Sequence, residues 1–280
     1  MFGGLGNQLF QYCAGRALSL QHGVEFRLLW GETSGESTTK RALDLHHFNI
    51  RAEIIKSTKF YKRLSLPLIS TFLKHGAPVV LRESTLGYDY RFASLGRHTR
   101  LKGYWQSEQY FKKFECSIRK DLRIITPPSS QNQALLDRIS SEAAVSLHVR
   151  RGDYVTNPLA NSHHGTCDLT YYERAIRYIS SHMQKEPVFY IFSDDPTWVK
   201  KNLNTGHKTI FVDFNHEATN YEDLRLMAQC KHNIIANSSF SWWGAWLNKN
   251  PSKIVVAPQK WYSDQTANNP DILPPAWWAC

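Results

Sequence analysis

The sequence predicts an α/β protein whose second half folds as a parallel β-sheet wrapped by helices. Apolar residues alternate at positions 145, 147 and 149, which is the period of a half-buried strand. Similar short apolar segments recur down to residue 257, and helical patterns separate them. Regular alternation of strands with helices is typical of parallel sheets. The Asp195-Pro196 step adds a helix start, since Asp is a good N-cap and proline is favoured at the first helical position.

Taken in order, the second half is expected to begin with a strand at 144–150, followed by a long polar loop at 152–167. The further strands are expected at 188–192, 209–213, 232–236 and 253–257. Helices are expected at 169–183, from Pro196 onward, at 221–230 and at 240–249.

The first half is less regular. Residues 7–22 have the apolar spacing of an amphipathic helix, and Gly23 is a typical stop. The segments that follow are predicted as a short strand at 24–30, an exposed loop at 31–41 and a basic helical stretch at 54–75.

A linker divides the two halves. The chain of 280 residues is long enough for two domains, and the run Thr-Pro-Pro-Ser-Ser at 126–130 has the composition of a connecting segment. We therefore predict an N-terminal domain over residues 1–128 and a C-terminal domain over residues 129–280.

The charge balance limits the partners. The chain carries 34 basic and 24 acidic residues, a net charge of +10. This favours an acidic ligand, an anionic membrane surface or nucleic acid, and a generally basic surface explains it equally well. No dense run of Lys and Arg is present, so nucleic acid is not expected as a partner.

Cysteine usage and hydropathy indicate the compartment. The five cysteines form no CxxC pair, and Cys13 and Cys230 fall on the apolar faces of predicted helices. A disulfide framework is therefore not expected, which favours a reducing compartment. No apolar run approaches the roughly 20 residues that span a bilayer, and the N-terminus lacks the apolar centre of a signal peptide. We expect a cytoplasmic protein.

Two adjacent arginines follow the first strand of the second half. Arg150 and Arg151 stand at its carboxyl end, and Gly152 breaks the strand. Two neighbouring guanidinium groups are costly to hold together unless an anion lies beside them. Because Arg offers a planar charged fork that pairs with two phosphate oxygens, the sequence predicts a phosphate clamp.

Two further polar clusters follow predicted strands, Asp194 with Asp195 and Ser238 with Ser239 and Ser241. The carboxyl ends of parallel strands share one edge of the sheet, where ligands bind, so the three clusters are expected to converge. The serines would hold a phosphate at a helix N-terminus, and Asp194 would accept the N–H donors of a guanine edge. The alternative that Asp195 and Ser238 or Ser239 only cap helices stays open, and the two roles can coexist.

A glycine-rich loop, GGLGNQ at residues 3–8, precedes the first helix and allows a ligand close to the backbone. It lacks the preceding strand of a dinucleotide fingerprint, and the chain has no P-loop pattern. No Asp-x-Asp pair or His/Cys cluster has metal-ligand spacing, so we expect no bound metal and no cofactor. His163 and His164 are expected on the surface. The arginines and helix N-termini would then stabilise the negative charge of a departing diphosphate.

Together the motifs resemble the bacterial α-1,2-fucosyltransferases of glycosyltransferase family 11 over nearly the whole chain. The matching segments are GGLGNQ at 3–8, GYWQSE at 103–108, HVRRGDY at 148–154, SDDP at 193–196 and NSSFSWW at 237–243. The double-arginine motif alone is shared with other fucosyltransferase families. Members of family 11 usually carry a hydrophobic strand before the glycine loop, whereas this sequence begins almost at the loop.

The resemblance implies a GT-B-like fold, in which two Rossmann-type domains face each other across a cleft. It implies a metal-independent, inverting transfer of L-fucose from GDP-fucose to a galactose-type 2-hydroxyl. The C-terminal domain would bind the GDP-sugar, and the N-terminal domain would lie on the acceptor side. The implied acceptor is an oligosaccharide or a lipid-linked glycan, with peripheral association at the cytoplasmic face of the membrane.

The resemblance also implies a donor site made of strand-end side chains and the glycine loop. Its members are Arg150 and Arg151 on the diphosphate, His148 and either Asp194 or Asp195 on the nucleoside, Ser238, Ser239 and Ser241 on the phosphates, and Gly4, Gly6 and Asn7 facing the donor. Residues 103–108 would help to shape the acceptor side.

The catalytic base has two candidates. Inversion by direct displacement is helped by a carboxylate that takes the proton of the acceptor hydroxyl. Asp153 is nearest in sequence to the arginines, and Glu108 is the second candidate. A structural ion pair with Arg150 or Arg151 is the alternative role for either, and an oxocarbenium-like transition state needs little help from a base.

Two other functions fit the same residues. The first is transfer of another nucleotide-activated deoxy sugar, because the motifs specify phosphates more clearly than they specify a sugar. The second is a nucleotide- or glycan-binding protein without turnover.

Overall fold

The computed structural model describes residues 1–31, 42–56, 78–264, 267 and 269–280, and of residues 153, 159 and 160 only the backbone. The chain divides into two compact units. The N-terminal unit comprises Met1–Ile125 and Pro270–Ile272, and the C-terminal unit comprises Thr126–Asn269 and Leu273–Cys280. The main division therefore lies three residues before the predicted boundary.

The N-terminal unit begins with helix α1 (Leu5–His22). Gly23 ends the helix, as predicted, with a φ of 61° and an N–H bond to the carbonyl of Ser19. The helix starts two residues before the predicted position, so Gly6 and Asn7 lie in its first turn. Its buried face carries the apolar residues that the pattern predicts, Leu9, Phe10, Cys13, Ala14, Ala17 and Leu18.

The described strands of the N-terminal unit form two separate parallel pairs. Strand β1 (Arg27–Trp30) pairs with β2 (Glu53–Lys56), and β3 (Val79–Arg82) pairs with β4 (Thr99–Lys102). Helix α2 (Glu115–Asp121) follows β4. The predicted helix at 54–75 is wrong at its start, because residues 53–56 pair with β1. Its remainder, from residue 57, lies outside the described residues, as does the predicted loop from residue 32 to 41.

The C-terminal unit contains a six-stranded, all-parallel sheet of order β10-β9-β8-β5-β6-β7. The strands are β5 (Ala144–Val149), β6 (Val188–Ser193), β7 (Lys208–Val212), β8 (His232–Ile234), β9 (Val255–Ala257) and β10 (Trp278–Ala279). The predicted α/β class is confirmed.

The helices of this unit alternate with its strands along the chain, as the sequence predicts. They are α3 (Ser130–Ser141), α4 (Gly152–Thr156), α5 (Pro158–His164), α6 (Leu169–His182), α7 (Pro196–Asn202), α8 (Asn220–Gln229) and α9 (Ser239–Leu247). The predicted helices correspond to α6 through α9 with ends displaced by a few residues. Helix α3 begins inside the predicted linker, where Ser129 caps it by accepting a bond from the Asn132 N–H.

Strand β5 is not half-buried as predicted, because helices cover both of its faces and all of its residues are buried. Val145, Leu147 and Val149 pack into one apolar cluster with residues of α6. Ser146 points to the opposite face, where its Oγ accepts a bond of 2.7 Å from Asn233 Nδ2. The polar alternation therefore marks a buried hydrogen-bonding face and not a solvent-facing one.

The predicted polar loop at 152–167 is also wrong, because most of it is helical. In α4 the Val155 N–H donates to the Arg151 carbonyl at 2.9 Å, and in α5 the Asn161 N–H donates to the Asn157 carbonyl at 2.9 Å. Pro158 occupies the first position of α5, where the missing N–H is not needed. The polar composition of this segment gives no apolar periodicity from which the two short helices could be predicted.

The described part of the chain contains no helix that is long and apolar enough to cross a bilayer. All five cysteines are free thiols, and Cys13 and Cys230 are buried, as predicted.

Candidate active site

The polar clusters that follow β5 and β6 lie side by side. Val149 is the register partner of Ser193 in the parallel pair, so the chain leaves both strands at the same edge of the sheet. Arg150 and Arg151 therefore continue beside Asp194 and Asp195. This is the convergence that parallel strand pairing predicts.

Both arginines are paired with these aspartates. Arg150 Nη1 lies 3.0 Å from Asp194 Oδ2, and Arg151 Nε lies 3.3 Å from Asp195 Oδ2. The backbone N–H of Arg151 also donates to Asp194 Oδ1 at 2.8 Å. The sequence expectation placed an ion-pair partner at Asp153, whose side chain is outside the described set.

These pairs change what the arginines imply. Adjacent guanidinium groups need a nearby anion, and Asp194 and Asp195 supply two negative charges to them. The charge of the arginine pair alone therefore does not require a phosphate. The pairs instead hold both guanidinium groups in a fixed orientation at the strand ends, which is the preorganisation that an anion-binding site needs.

Aromatic rings add to this fixed orientation. The guanidinium carbon of Arg151 lies 3.6 Å from the ring centroid of Trp198, and that of Arg150 lies 5.2 Å from the ring of Tyr154. The Tyr154 ring stacks on His164 at 4.6 Å with an interplanar angle of 6°. His164 is thus half-buried and not fully exposed on the surface, because α4 and α5 bring its ring against Tyr154.

Gly152 is required by the closeness of Asp194. A Cβ atom at position 152 would lie 2.3 Å from Asp194 Oδ2. The carboxylate that pairs with Arg150 would have to move to accommodate any side chain there. The glycine after the arginine pair thus serves the ion pairs as well as the end of the strand.

His148 is a neutral imidazole buried at the end of β5. It is 5% exposed, and burial together with the positive charge of Arg150 lowers the pKa of His148 to about 3. Its ring lies 5.9 Å from that of Phe240. The Nδ1 atom is buried and has no hydrogen-bond partner among the described residues. An unsatisfied buried ring nitrogen is unusual in a native structure and marks His148 as a ligand-binding candidate.

The serine cluster after β8 caps helix α9. Ser238 Oγ accepts a bond from the Phe240 N–H at 3.3 Å, and Ser241 Oγ donates to the Ser238 carbonyl at 3.4 Å. Ser239, the first residue of the helix, is half-buried. The predicted capping role is thus present, and the phosphate-binding role of the three serines stays a prediction.

Asp195 combines a cap with an ion pair. Its Oδ1 accepts a bond from the Trp198 N–H at 3.1 Å at the start of α7, and its Oδ2 pairs with Arg151. Asp195→Ala is expected to lower the free energy of unfolding by about 1 kcal/mol, the usual cost of losing a cap. Asp195→Asn retains the cap, since Asn caps as well as Asp.

The two variants separate the roles of Asp195. Denaturant unfolding is expected to show the loss for Asp195→Ala only, and calorimetry is expected to show weaker GDP binding for both. Equal GDP affinity in wild type and Asp195→Asn would show that the carboxylate acts only as a cap. A changed preference between GDP and ADP would show a contact with the base.

In the N-terminal unit, the glycine loop is joined to the segment after β4. Gly3 has a φ of 85°, and a Cβ there would lie 2.9 Å from Asn7 Nδ2. Gly4 precedes α1 as its N-cap. Gln106 Nε2 donates to Asn7 Oδ1 at 2.8 Å. Asn7 and the 103–108 segment, which were assigned to the donor and acceptor sides, therefore touch each other.

Glu108 is engaged in an ion pair. Its Oε1 lies 2.8 Å from Lys112 Nζ, and the residue is 8% exposed. This partner is a lysine one helical turn away. Which of Glu108 and Asp153 serves as the catalytic base stays a prediction. Among the described residues, no group of three or more His, Cys, Asp or Glu side chains could hold a metal ion.

Asp223 is a functional candidate that sequence reasoning missed. Burial raises the pKa of Asp223 to about 7, and a 2.7 Å bond from Asn215 Nδ2 opposes the shift. Asn215 and Glu222 line a cavity of about 320 Å³. A carboxyl group that titrates near neutrality beside a cavity is typical of functional sites. In the sequence Asp223 is an ordinary acidic residue of a first helical turn, and only the tertiary structure shows its burial.

Comparisons with known proteins agree with the motifs. The family model for glycosyl transferase family 11 matches residues 36–280. The chain is 36% identical to the O-antigen biosynthesis glycosyltransferase WbnK of Escherichia coli, over 93% of each protein. It is 35% identical to an α-1,2-colitosyltransferase of Escherichia coli, over 98% of this chain and 95% of that protein.

More distant matches include a galactoside 2-α-L-fucosyltransferase of Caenorhabditis elegans, 26% identical over 98% of this chain and 76% of that protein. Among solved structures, the fucosyltransferase NodZ from Bradyrhizobium is similar with a TM-score of 0.49 and 14% identity, over 87% of this chain and 90% of that one. The family model and the two Escherichia coli relatives show that the protein is an enzyme that transfers glycosyl groups. It belongs to glycosyltransferase family 11.

Proposed function

We propose that the protein is a galactoside α-1,2-fucosyltransferase, which moves L-fucose from GDP-fucose to a galactose-type 2-hydroxyl with inversion. Family membership and the α-1,2 specificity in a relative's name support the linkage. The assignment of a GDP-sugar donor is supported by the position of the two arginines. Arg150 and Arg151 are held by Asp194 and Asp195 at the edge where parallel sheets bind ligands.

In the proposed reaction, the acceptor oxygen bonds to C1 of fucose while the bond from C1 to the diphosphate oxygen breaks. GDP leaves with the bonding electron pair, and the proton of the acceptor hydroxyl passes to a base. Negative charge grows on the diphosphate, where Arg150 and Arg151 stabilise it. Positive groups that are oriented beforehand are effective because they need no reorganisation during the reaction.

The ion pairs leave room for this contact. Arg151 meets Asp195 through Nε, so its two terminal nitrogens have no such bond among the described residues. A guanidinium group has five N–H donors, and an aspartate and a phosphate can therefore bind to different sides of it. Both oxygens of Asp194 contact the arginines, so we assign it to holding them and not to the guanine edge.

His148 is proposed to contact the nucleoside. Because burial keeps its imidazole neutral near pH 7, Nδ1 can bond to a ribose hydroxyl or a base without competing for the diphosphate charge. Ser239, at the start of α9, is proposed to join the helix N-terminus in binding phosphate oxygens. Gly4 and Gly6 are proposed to contact the donor, whereas the hydrogen bond from Gln106 joins Asn7 to the segment assigned to the acceptor side.

Asp153 is the proposed catalytic base. It lies in α4, two residues beyond Arg151, and Glu108 is engaged with Lys112. A carboxylate so close to the arginines in sequence could accept the acceptor proton as the diphosphate departs. The acceptor is proposed to be an oligosaccharide or a lipid-linked glycan, and the net charge of +10 supports peripheral contact with an anionic membrane surface.

A second candidate function is α-1,2 transfer of colitose from GDP-colitose. The 35% identity to an α-1,2-colitosyltransferase over nearly the full length of both proteins favours it. Colitose is L-fucose without its 3-hydroxyl, so the two donors differ by one polar group. A site that hydrogen-bonds this hydroxyl would discriminate strongly against colitose, whereas an apolar site would discriminate weakly.

The test is a transfer assay with the full chain in EDTA, with GDP-fucose or GDP-colitose as donor and lactose or N-acetyllactosamine as acceptor. We expect an α-1,2-linked fucosyl product, identified by NMR. Product from GDP-colitose alone would establish the second candidate. A requirement for added Mg²⁺ or Mn²⁺ would contradict the arginine mechanism. GDP binding without product from any pair would indicate a binding protein.

A further inference from the structure

The segment after β4 contains a residue in a strained conformation. Trp105 has a φ of 60° and is the only non-glycine residue in the described ranges with a positive φ. Left-handed backbone is unfavourable for a residue with a Cβ, and it persists only where the surroundings enforce it. The Trp105 indole is 1% exposed, and its ring meets that of Tyr110 edge-on at 5.3 Å.

Glu83 enforces the conformation through the backbone. It follows β3 directly and lies beside the end of β4, since its N–H donates to the Lys102 carbonyl at 2.9 Å. Its Oε2 accepts the Tyr104 N–H at 2.7 Å, and its Oε1 accepts the Trp105 N–H at 2.9 Å. Two successive backbone N–H groups that converge on one carboxylate form an anion-binding nest.

The approach of Glu83 is close enough to require a glycine. A Cβ at position 103 would lie 2.4 Å from Glu83 Cβ and 2.7 Å from its Oε2. Burial raises the pKa of Glu83, while the two backbone bonds act in the opposite direction. Both oxygens hold backbone, so the carboxylate is a structural clamp and not a group placed to accept a substrate proton.

The residues on either side of Trp105 contact the N-terminal end of the chain and its glycine loop. Gln106 donates to Asn7 Oδ1 at 2.8 Å, and the ring of Tyr104 meets that of Phe2 edge-on at 4.8 Å. The clamp thus joins the segment 103–106 to the glycine loop by one hydrogen bond and one ring contact. Side-chain amides both donate and accept hydrogen bonds, which suits them to sugar hydroxyls, and aromatic rings present an apolar face to sugars.

We propose that Glu83 is a positioning residue, which acts through Trp105 to hold the Asn7–Gln106 amide pair as a binding subsite for hydroxyl groups of the acceptor glycan. The inference rests on the proposed glycosyl transfer and deepens it. It assigns recognition of the acceptor to an amide pair that a distant carboxylate keeps in place.

The test compares Glu83→Gln, Gln106→Ala and the double variant. Glu83→Gln keeps the shape but turns an NH₂ group toward a backbone N–H, so the segment 103–106 loses one anchor. We expect kcat/KM for N-acetyllactosamine to fall by about tenfold to a hundredfold, the effect of losing a hydrogen bond to a charged group. The KM for the GDP-sugar and its hydrolysis without acceptor are expected to stay within about twofold.

The double variant shows whether Glu83 acts through Gln106. If it does, adding Glu83→Gln to Gln106→Ala lowers kcat/KM by no more than about twofold further. Glu53→Gln is the matched control, because it removes an exposed partner of Arg27 in the same unit. It is expected to leave every kinetic constant unchanged.

Several outcomes would overturn the proposal. These are equal losses for donor and acceptor, additive effects in the double variant, or a lower melting temperature with unchanged acceptor kinetics. If Glu83→Gln does not fold, Gly103→Ala replaces it, since its Cβ displaces the carboxylate without removing it. The same selective loss of acceptor kcat/KM is then expected, and its absence overturns the proposal.

A failure of the proposed glycosyl transfer can be distinguished from a failure of the acceptor subsite. If the wild type transfers from neither GDP-sugar, saturation-transfer NMR with N-acetyllactosamine replaces the kinetics. A signal that Gln106→Ala and Glu83→Gln lose and Glu53→Gln keeps supports the subsite. An equal signal in all of them, or none in the wild type, overturns it.

Discussion

Arg150→Ala is expected to lower kcat with GDP-fucose by about a hundredfold to a thousandfold, the usual effect of removing one preorganised group that stabilises transition-state charge. The guanidinium group lies at the sheet edge, is held by Asp194 and is 24% exposed. Because most of the side chain is buried, its loss also removes packing and leaves Asp194 without this partner, so a lower melting temperature is expected as well. Steady-state kinetics and thermal unfolding of the same preparation measure both effects.

Two further variants show whether the loss of activity is specific to the guanidinium group of Arg150. Arg150→Lys keeps a positive charge without the planar fork, so an intermediate rate is expected. Arg138→Ala is the matched control, because Arg138 also pairs with a carboxylate, Glu142, in the same unit but away from the site. Wild-type kinetics in Arg150→Ala would exclude the phosphate clamp.

Asp194→Asn is expected to lower kcat/KM for the donor by about tenfold to a hundredfold. Asp194 holds the guanidinium group of Arg150 with one oxygen and the backbone N–H of Arg151 with the other. The substitution keeps one oxygen and replaces the other by an amide, which cannot accept the Arg150 N–H. Hydrogen bonds to charged groups contribute about 1.5–3 kcal/mol, which corresponds to this range of rates.

The measurement is donor kinetics together with GDP calorimetry. Asp213→Asn is the matched control, since it removes the partner of Lys200 in an exposed ion pair of the same unit. The opposite result is equally informative. Tighter GDP binding in Asp194→Asn would show that the aspartate competes with the diphosphate for the arginines and does not orient them.

Local rules account for much of what the sequence predicts correctly. The left-handed Gly23, the Asp195 cap and the buried stripe of α1 each depend on a few neighbouring residues. The shared edge of the Arg150 and Asp194 clusters follows from parallel pairing alone. Such features need no knowledge of contacts between distant residues.

The errors come from distant contacts. The sequence does not predict that Asp194 and Asp195 pair with the arginines, because only the β5–β6 register brings them together. The predicted ion pair of Asp153 stays a prediction, since its side chain is outside the described residues. Polar alternation in β5 is the same whether its second face meets solvent or, as here, Asn233. The raised pKa of Asp223 likewise depends on burial that only the folded chain creates.

Glu83 illustrates the same limit in the N-terminal unit. It stands in a short stretch without a strong pattern, and its two backbone bonds depend on how β3 pairs with β4. The GYWQSE motif identifies the segment at 103–108 but does not show what holds it. The positive φ of Trp105 indicates that the segment is held in place, and the two backbone bonds to Glu83 show what holds it.

Calorimetric binding of GDP and of GMP, in EDTA, to the wild type and Arg150→Ala tests most directly whether the arginine pair binds the diphosphate. The wild type is expected to bind GDP more tightly than GMP, because only GDP carries the second phosphate. Arg150→Ala is expected to lose most of that difference while the GMP affinity changes little. Equal weakening of both nucleotides, or an unchanged preference for GDP, would contradict the assignment.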